Sequence, residues 1–355
     1  MPKLLNETKH YRAAVRIREL ANTLPPGESL PVASELTRRL GISHGTAIRA
    51  LKVLSDDGVI YRPLGKQRYR IAERFERASA RISMVRPDFS SGDLDAITQS
   101  VYEAGQKRNW KFNQYCFRSG RELDFCRVIG ECDAMVLIPP AEYLTDEFVK
   151  LLLKPARPVA VLLQHLRHPQ INNVCTNDFR VGELAAETLY EHGHRRILFL
   201  KDQPDETTMR ERRRGFQSAA DRLRIPAGDE LYFDSHPHVF EDPLEGTYQG
   251  LFRLLRSGKA DFTAIFSASL VGGMAALRAA HELGLKVPEQ LAVLCFSGES
   301  NLAPYFQPPL SCIETDRTKF GEYTAELLTA ALTGANGKMP QQLKIEPKLV
   351  MRSSI

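Results

Sequence analysis

Long apolar runs are missing from this sequence of 355 residues. No stretch of 18 apolar residues occurs, so we expect no transmembrane helix. Residues 1–12 are too polar for a secretory signal, and we expect a cytoplasmic protein. Cysteine is scarce, and the six cysteines lie far apart without a Cys-x-x-Cys pair. This spacing predicts reduced, buried thiols and argues against a disulfide framework or a zinc site.

Enzyme motifs are also missing. The sequence has neither a Gly-x-Gly-x-x-Gly run nor a phosphate-binding Gly-x-x-x-x-Gly-Lys-Ser/Thr run, and the surroundings of Ser297 do not match the Gly-x-Ser-x-Gly of a nucleophile elbow. Three histidine pairs are closely spaced: His165 and His168, His192 and His194, and His236 and His238. They lack a third ligand at metal-site spacing. We therefore expect no catalytic residues, no metal and no cofactor.

Charge is distributed unevenly along the chain. Residues 1–80 contain 15 Lys and Arg against 8 Asp and Glu, a net charge of +7, whereas the remainder has a net charge of −2. A small basic head on a near-neutral body indicates that the head binds a polyanion and the body binds something else. A head that only improves solubility is the alternative that charge leaves open.

Three short helices and a hairpin are predicted in the basic segment. The first helix, at 10–23, has apolar residues at spacings of three and four and ends before two prolines. The second starts at Pro31 and stops at Gly41, and the third follows Ser43 as N-cap and runs to 57. This is a helix-turn-helix pattern. Residues 59–71 alternate apolar and basic side chains around a Pro/Gly turn, which predicts a hairpin, or wing.

Residues 24–71 resemble the winged helix-turn-helix of GntR-type bacterial regulators. The matching residues are Leu24-Pro25-Pro26-Gly27-Glu28, Leu30-Pro31, Glu35-Leu36, Leu40-Gly41-Ile42-Ser43, Gly45-Thr46, Arg49-Ala50-Leu51, Leu54, Gly58 and Gly65. Basic residues that are frequent in the family are replaced here by Ser34, His44 and Ile48. We therefore expect an operator that differs from the common GntR sites.

The resemblance implies that the start of the third helix enters the major groove of double-stranded DNA. Arg49 can bind a guanine or a phosphate, and we expect Thr46 to bind a phosphate. For His44, a solvent-facing position without DNA contact is an equal alternative. The candidate DNA-binding residues are Ser43, His44, Gly45, Thr46, Arg49 and Lys52 on the helix, and Arg62, Lys66, Gln67 and Arg68 on the hairpin.

Beyond a polar linker at 73–79, short apolar strands alternate with amphipathic helices. The strands are predicted at 81–85, 111–116, 134–138, 159–163, 196–200, 264–267 and 291–296, and the helices at 93–108, 178–191, 208–223, 244–256 and 270–283. This alternation predicts an α/β fold with parallel sheets covered by helices on both faces. The segment is long for one such layer, so we expect two, with a ligand cleft at the carboxyl ends of the strands.

Residues 80–355 resemble the LacI-type effector domain, whose fold is that of periplasmic sugar-binding proteins. The matching residues are Val85-x-Pro87-Asp88, Cys132-Asp133-Ala134-Met135-Val136-Leu137, Asn177-Asp178 with Gly182, Gly193-His194-Arg195-Arg196-Ile197, Arg210-x-Arg212-x-x-Gly215-Phe216, Pro308-Pro309-Leu310 and Gly321. We predict a DNA-binding domain at 1–72 and an effector domain at 80–355. Within the latter, one subdomain is predicted at 80–163 and 313–338, and the other at 164–312 and 339–355.

The resemblance implies an effector pocket. Arg212 matches an arginine that commonly binds a ligand hydroxyl or carboxylate, a task that suits its fixed fork of donors; a surface ion pair is the alternative. Ser269-Leu270 and Ser297 stand where relatives often carry Asn-Asp and Asp. A sugar or sugar derivative is our default effector, with a less hydroxylated or anionic molecule, or a degenerate site, as alternatives. The candidate effector-binding residues are Phe89, Ser90, Ser91, Gln164, Arg212, Phe233, Asp234, Ser269 and Ser297.

The sequence therefore predicts a ligand-responsive transcriptional regulator, a repressor of a carbohydrate-related operon. We expect a homodimer whose two heads bind a pseudo-palindromic operator one helical turn apart, about 34 Å. We expect no membrane partner. A solute-binding receptor without a gene-regulatory role is the alternative that shares the fold of the body.

Overall fold

The structure is a computed structural model that describes residues 9–56, 59–63, 68–72, 80–88, 91–118, 124–140, 143–154, 157–166, 168, 170–238, 242–298, 302–333 and 341–355. The chain divides into two compact units, Met1–Ser79 and Ala80–Ile355, here called the head and the body. Some predicted features lie outside the described residues, namely the linker at 73–79 and the candidates Lys66, Gln67, Phe89 and Ser90.

Three helices and an antiparallel pair of short strands form the described part of the head. They are α1 (Lys9–Asn22), α2 (Ala33–Leu40), α3 (His44–Asp56), β1 (Ile60–Tyr61) and β2 (Arg70–Ile71). Helix α2 ends at Gly41, which has a left-handed φ of 63°. Glycine adopts this conformation without a steric penalty, and α3 begins three residues later. These are the elements of a winged helix-turn-helix, in the predicted order.

The core of the head forms from the apolar residues whose spacing predicted the helices. Ile17 of α1, Leu36 of α2 and Leu51 of α3 are buried and pack in one cluster with Ile60 and Ile71 of the strands. Burial of each such side chain contributes about 1.5–3 kcal/mol. This core holds α3 by its inner face only, and the outer face remains exposed.

The body alternates strands and helices along its whole length. Its strands are β3 (Ala80–Pro87), β4 (Trp110–Phe117), β5 (Ala134–Leu137), β6 (Val159–Leu162), β7 (Asn172–Thr176), β8 (Ile197–Lys201), β9 (Tyr232–Asp234), β10 (Ala264–Ser267), β11 (Ala292–Gly298), β12 (Ser311–Thr315), β13 (Gln342–Ile345) and β14 (Lys348–Val350). Its helices are α4 (Gly92–Gln106), α5 (Phe125–Gly130), α6 (Asp146–Leu153), α7 (Asp178–Glu191), α8 (Thr207–Leu223), α9 (Pro243–Arg256), α10 (Leu270–Glu282) and α11 (Thr318–Thr333).

Two sheets organise these strands into two lobes. The first sheet has the order β4-β3-β5-β6-β7-β13 and is parallel throughout. The second has the order β9-β8-β10-β11-β12-β14 and is parallel except for β14 at its edge. Helices cover both faces of each sheet: α4 and α11 lie opposite α5 and α6 in the first lobe, and α7 and α8 lie opposite α9 and α10 in the second. The predicted α/β architecture is thus confirmed.

The limits of the two lobes differ from the predicted subdomain limits. Strand β7 belongs to the first sheet, although its residues were assigned by sequence to the second subdomain, and β13 is likewise in the first sheet. The predicted limit at 313 cuts through β12, which belongs to the second sheet. The chain therefore crosses between the lobes three times, after β7, after β12 and after β13. The last two crossings bring β13 to the edge of the first sheet and β14 to the edge of the second.

Helices α7 and α8 pack against each other at two glycines. A Cβ on Gly182 would lie 1.9 Å from the carbonyl oxygen of Arg212, and a Cβ on Gly215 would lie 1.9 Å from the carbonyl oxygen of Phe179. Only glycine permits backbones to approach this closely. The contact fixes α8, and with it the side chain of Arg212, against the start of α7.

Most of the described thiols are buried, as predicted. Cys132, Cys175, Cys295 and Cys312 are buried, and burial raises the pKa of Cys175 to about 12. The prediction is wrong for Cys116, which is exposed because it lies near the end of the edge strand β4. Among the described residues, no helix combines the length and apolarity needed to cross a bilayer.

Candidate functional site

The first candidate site is the outer face of α3. His44, Gly45, Ile48, Arg49 and Lys52 are all exposed and recur at the spacing that places them on one side of the helix. Neither Arg49 nor Lys52 forms an ion pair with any residue in the described part of the chain. The helix therefore presents to solvent two cations that have no ion-pair partner in the described part of the chain, and such a surface suits phosphate groups.

Ser43 begins this helix and is its N-cap, as predicted. Its Oγ accepts a hydrogen bond from the backbone N–H of Thr46 at 3.2 Å and lies 2.8 Å from the Thr46 hydroxyl. Each hydroxyl thus already has a local partner. Their proposed DNA contacts would use the remaining hydrogen-bonding capacity of the two oxygens.

Two of the predicted hairpin contacts are described. Arg62 and Arg68 are exposed on either side of the hairpin. The Arg62 guanidinium lies over the Tyr69 ring, 5.8 Å from its centroid, a cation–π contact that orients the side chain. The hairpin therefore adds cations to the basic surface of the head.

The second candidate site lies in the body, where the carboxyl edges of the two sheets meet. Across this junction, Gln164 after β6 accepts a hydrogen bond from Thr207 of α8 at 2.7 Å. At another point Arg317, after β12, pairs with Asp93 at the start of α4. Both contacts join residues of different lobes, and they lie where the sequence places the ligand cleft.

Arg212 is the centre of a buried network in this cleft. Its Nε donates to Asp178 Oδ1 at 2.7 Å, and its Nη1 donates to the carbonyl oxygen of Ala268 at 2.5 Å. The guanidinium lies over Phe296, 3.6 Å from the ring centroid. Its side chain is only 7% exposed, so Arg212 does form an ion pair, but in the interior and not at the surface where the alternative placed it.

Asp178 also binds His165, which connects the network to the first lobe. His165 Nε2 lies 2.7 Å from Asp178 Oδ2, and its backbone N–H donates to the Thr207 hydroxyl at 2.8 Å. Asp178 is fully buried and therefore depends on these cationic and hydrogen-bonding partners. One carboxylate thus joins an arginine of one lobe to a histidine of the other.

A second buried carboxyl lies beneath Ser269. Asp202 accepts hydrogen bonds from the Ser269 hydroxyl and from the backbone N–H of Gly272 in α10. Burial raises the pKa of Asp202, and these hydrogen bonds oppose that rise. Gln203 Nε2 lies 3.3 Å from the same hydroxyl, so Ser269 is held between two polar side chains.

The other candidate effector residues have protein partners as well. Asp234 pairs with Lys201 Nζ at 2.8 Å, and Phe233 packs against the core between the second sheet and α9 and α10. Ser297 is buried and donates to the carbonyl oxygen of Gly298, and Ser91 is the N-cap of α4. Four of the candidates lie at or next to strand ends: Gln164, Asp234, Ser269 and Ser297. Arg212 reaches the carbonyl oxygen of Ala268 from within α8, Ser91 caps α4, and Phe233 packs in the core.

Sequence reasoning missed the buried acids of this cleft. Asp178 appeared only as part of the Asn-Asp pair that opens α7, and Asp202 was not selected. A local signal was present for Asp202, which directly follows the buried strand β8, where an Asp is costly unless it has partners. Asp178 had no such signal, because the strand before it, β7, was not predicted.

The two-lobed architecture of the body is the periplasmic-binding-protein-like fold. Residues 186–355 match the family model described as periplasmic binding protein-like domain.

The chain is 25% identical over 256 residues to the HTH-type transcriptional repressor PurR of Mannheimia succiniciproducens, covering 68% of this chain and 74% of that protein. It is 32% identical over 186 residues to the PurR repressor of Yersinia pestis, and this match spans about half of each protein, 52%.

Solved structures of transcription regulators share the fold. A complex of the regulator CelR with cellobiose superposes with a TM-score of 0.68 at 22% identity, covering 92% of this chain and all of that one. A LacI family regulator from Enterococcus faecium with bound ribose gives a TM-score of 0.66 at 21% identity, covering 77% of this chain and 98% of that one. At these identities the comparison establishes the fold of the body.

Proposed function

We propose that this protein is a ligand-responsive, DNA-binding transcriptional regulator that represses a carbohydrate-related operon as a homodimer. The observation that carries the proposal is the exposed face of α3, with cations that have no ion-pair partner among the described residues, in a chain whose body is periplasmic-binding-protein-like. The curated relatives are named as transcriptional repressors, which supports the same function.

We also propose that the head is of the GntR type. The residue matches at 24–71 support this, as does the order of helices α1 to α3 followed by the paired strands β1 and β2. In this arrangement α3 enters the major groove and the hairpin contacts the backbone beside it. Arg49 is the residue for which we expect base contact, and Lys52 is expected to contact a phosphate.

In the body, we propose that the effector binds at the cleft between the lobes. Gln164 and His165 of one lobe already bond to Thr207 and Asp178 of the other. A ligand that replaces these hydrogen bonds between the lobes with hydrogen bonds to itself would change the relative stability of the open and closed arrangements of the two lobes. Such coupling typically amounts to about 1–3 kcal/mol. Because Arg212, Ser269 and Gln203 offer polar groups at one place, a sugar or sugar derivative is the effector class that we propose.

DNA capture tests the regulator. The full-length protein is incubated with sheared DNA from its source organism at about 150 mM salt, and the retained fragments are sequenced. We expect a few enriched palindromic sites for the wild type and for Lys259→Ala, a variant of an exposed body cation, and a loss of enrichment for Arg49→Ala. Retention without enrichment of any site would overturn the proposal, because the head would then bind DNA only non-specifically, and no retention at all would favour the solute-binding receptor.

Effector titration tests the cleft. Sugars and sugar derivatives are added to the protein bound to its selected site, and release is followed by fluorescence anisotropy. In Arg212→Lys the positive charge beside Asp178 is kept but the guanidinium fork is lost, so we expect operator binding without release. Unaltered release by this variant would remove Arg212 from the effector site.

A further inference from the structure

Ile48 is a large apolar residue in the middle of the exposed face of α3. It is 48% exposed and takes no part in the core of the head. By contrast, Ala47, Leu51 and Leu54 of the same helix are buried, and Val53 is partly buried against the core of the head. Packing within the head therefore does not explain an isoleucine at this position.

Two cations and a histidine lie next to Ile48 on the helix. Lys52 lies one turn after it and Arg49 next to it, and His44 lies one turn before it. The Arg49 side chain turns back along the helix, so that its Nη2 lies 3.8 Å from where a Cβ on Gly45 would stand. No acidic residue is present between positions 44 and 52. This charge pattern is complementary to a polyanion. It does not suit an apolar protein partner, because the cations beside Ile48 would have to be buried against it.

We propose that Ile48 is a specificity-determining residue that contacts the C5 methyl group of a thymine in the major groove. The inference rests on the proposed function, because it needs α3 to lie in that groove. Isoleucine has neither a donor nor an acceptor, and the thymine methyl is the apolar group that a base pair offers there. Against any other base edge, Ile48 would cover polar atoms without bonding them. The residue thus selects a T at one position in each half-site.

Replacement of thymine by uracil tests this contact, because it removes the methyl group and keeps the base-pairing edge. A selected duplex is synthesised with one T replaced by U at a time, and its affinity is measured for the full-length wild type, Ile48→Ser and Lys52→Ala. For the wild type we expect one position per half-site at which uracil weakens binding about fourfold, the factor that corresponds to about 0.8 kcal/mol for one buried methyl group.

The variants separate this contact from general DNA binding. Ile48→Ser should bind the T and U duplexes equally at that position, whereas Lys52→Ala should bind every duplex more weakly but keep the fourfold difference. Thermal unfolding of Ile48→Ser, which we expect to match the wild type because the side chain is exposed, shows that the head remains folded.

Two results would overturn the inference. One is a selected site at which no uracil replacement weakens wild-type binding, and the other is an equal uracil penalty in the wild type and Ile48→Ser. Both leave the proposed regulator intact. Failure to select any site would overturn the regulator and this contact together, so the two failures are distinguishable.

Discussion

The two candidate sites differ in what their polar side chains already bind. On α3, Arg49 and Lys52 are exposed and have no ion-pair partner among the described residues. In the cleft of the body, Arg212 and Asp178 are buried and bonded to each other. If the proposed function holds, the head binds DNA without breaking such bonds, whereas an effector in the cleft exchanges bonds that the protein makes with itself.

Replacement of the buried carboxylate of Asp178 should give the largest effect, because it removes the partner of Arg212 in the cleft. Asp178→Asn leaves the Arg212 guanidinium buried without its carboxylate, and we expect the body to lose about 3–5 kcal/mol of its free energy of unfolding. The single tryptophan, Trp110, lies buried in β4, so urea unfolding followed by its fluorescence reports on the body. Asp229→Asn is the control, because Asp229 pairs with Arg213 but is 95% exposed; a loss within about 1 kcal/mol is expected there. Equal losses in the two variants would contradict the buried network.

The glycine contact beneath the network should give the next largest effect. In Gly182→Ala the added methyl group meets the backbone of α8, and overpacking of this kind costs about 1–3 kcal/mol. Gly246→Ala in α9 is the matched control: its Cβ meets nothing within 4 Å, and alanine should stabilise that helix by about 0.5–1 kcal/mol. The urea midpoint of Trp110 fluorescence should therefore move in opposite directions. Shifts in the same direction would disprove the close approach of α7 and α8.

In the head, two substitutions of Ser43 distinguish its role as the N-cap of α3 from its predicted contact with DNA. Ser43→Ala removes the acceptor for the Thr46 N–H and should reduce the stability of the head by about 1 kcal/mol. Ser43→Asp keeps the cap but adds a negative charge next to DNA. We expect amide hydrogen exchange in α3 to quicken in the first variant only, and operator affinity to fall more in the second. If exchange quickens equally in both, Ser43 does not act as a cap.

The smallest change expected concerns Lys52. Lys52→Ala should weaken binding to all sequences and reduce the slope of log affinity against log salt by about 1, because one phosphate contact is lost. Unfolding of the body and effector affinity should remain at wild-type values. Lys259→Ala is the matched control with an unaltered slope, and an unaltered slope for Lys52→Ala would place that residue away from the DNA backbone.

The regular part of the fold is predictable from sequence, since it follows from local signals. Helix α7 was predicted with its observed limits, because Asn177 caps its start and apolar residues recur at helical spacing until Gly193. Strand β7 was missed because its sequence, Asn-Asn-Val-Cys-Thr, is largely polar, although all five residues are buried. Its polar groups are satisfied by partners elsewhere: Asn173 donates to the carbonyl oxygens of Val161 and Gln164.

The shared exposed face of the α3 residues was also easier to predict from the sequence than the contacts of the buried network. The face of α3 lies within nine residues of sequence, so helical spacing alone brings its members together. The cleft joins Asp178 to Arg212, which are 34 residues apart, and Arg212 to Ala268, which are 56 apart. Such pairs depend on the order of strands in the sheet and on the packing of α7 against α8, and neither is encoded in local spacing.

The three crossings between the lobes have a consequence for how the body is synthesised. Strand β13 completes the first sheet beside β7, and β14 completes the second beside β12. Both strands lie between residues 342 and 350, so neither sheet can acquire its final edge strand before this part of the chain has been synthesised. A product cut off before residue 341 would expose an unpaired strand edge on each lobe at once, a form prone to aggregation and to recognition by chaperones and proteases.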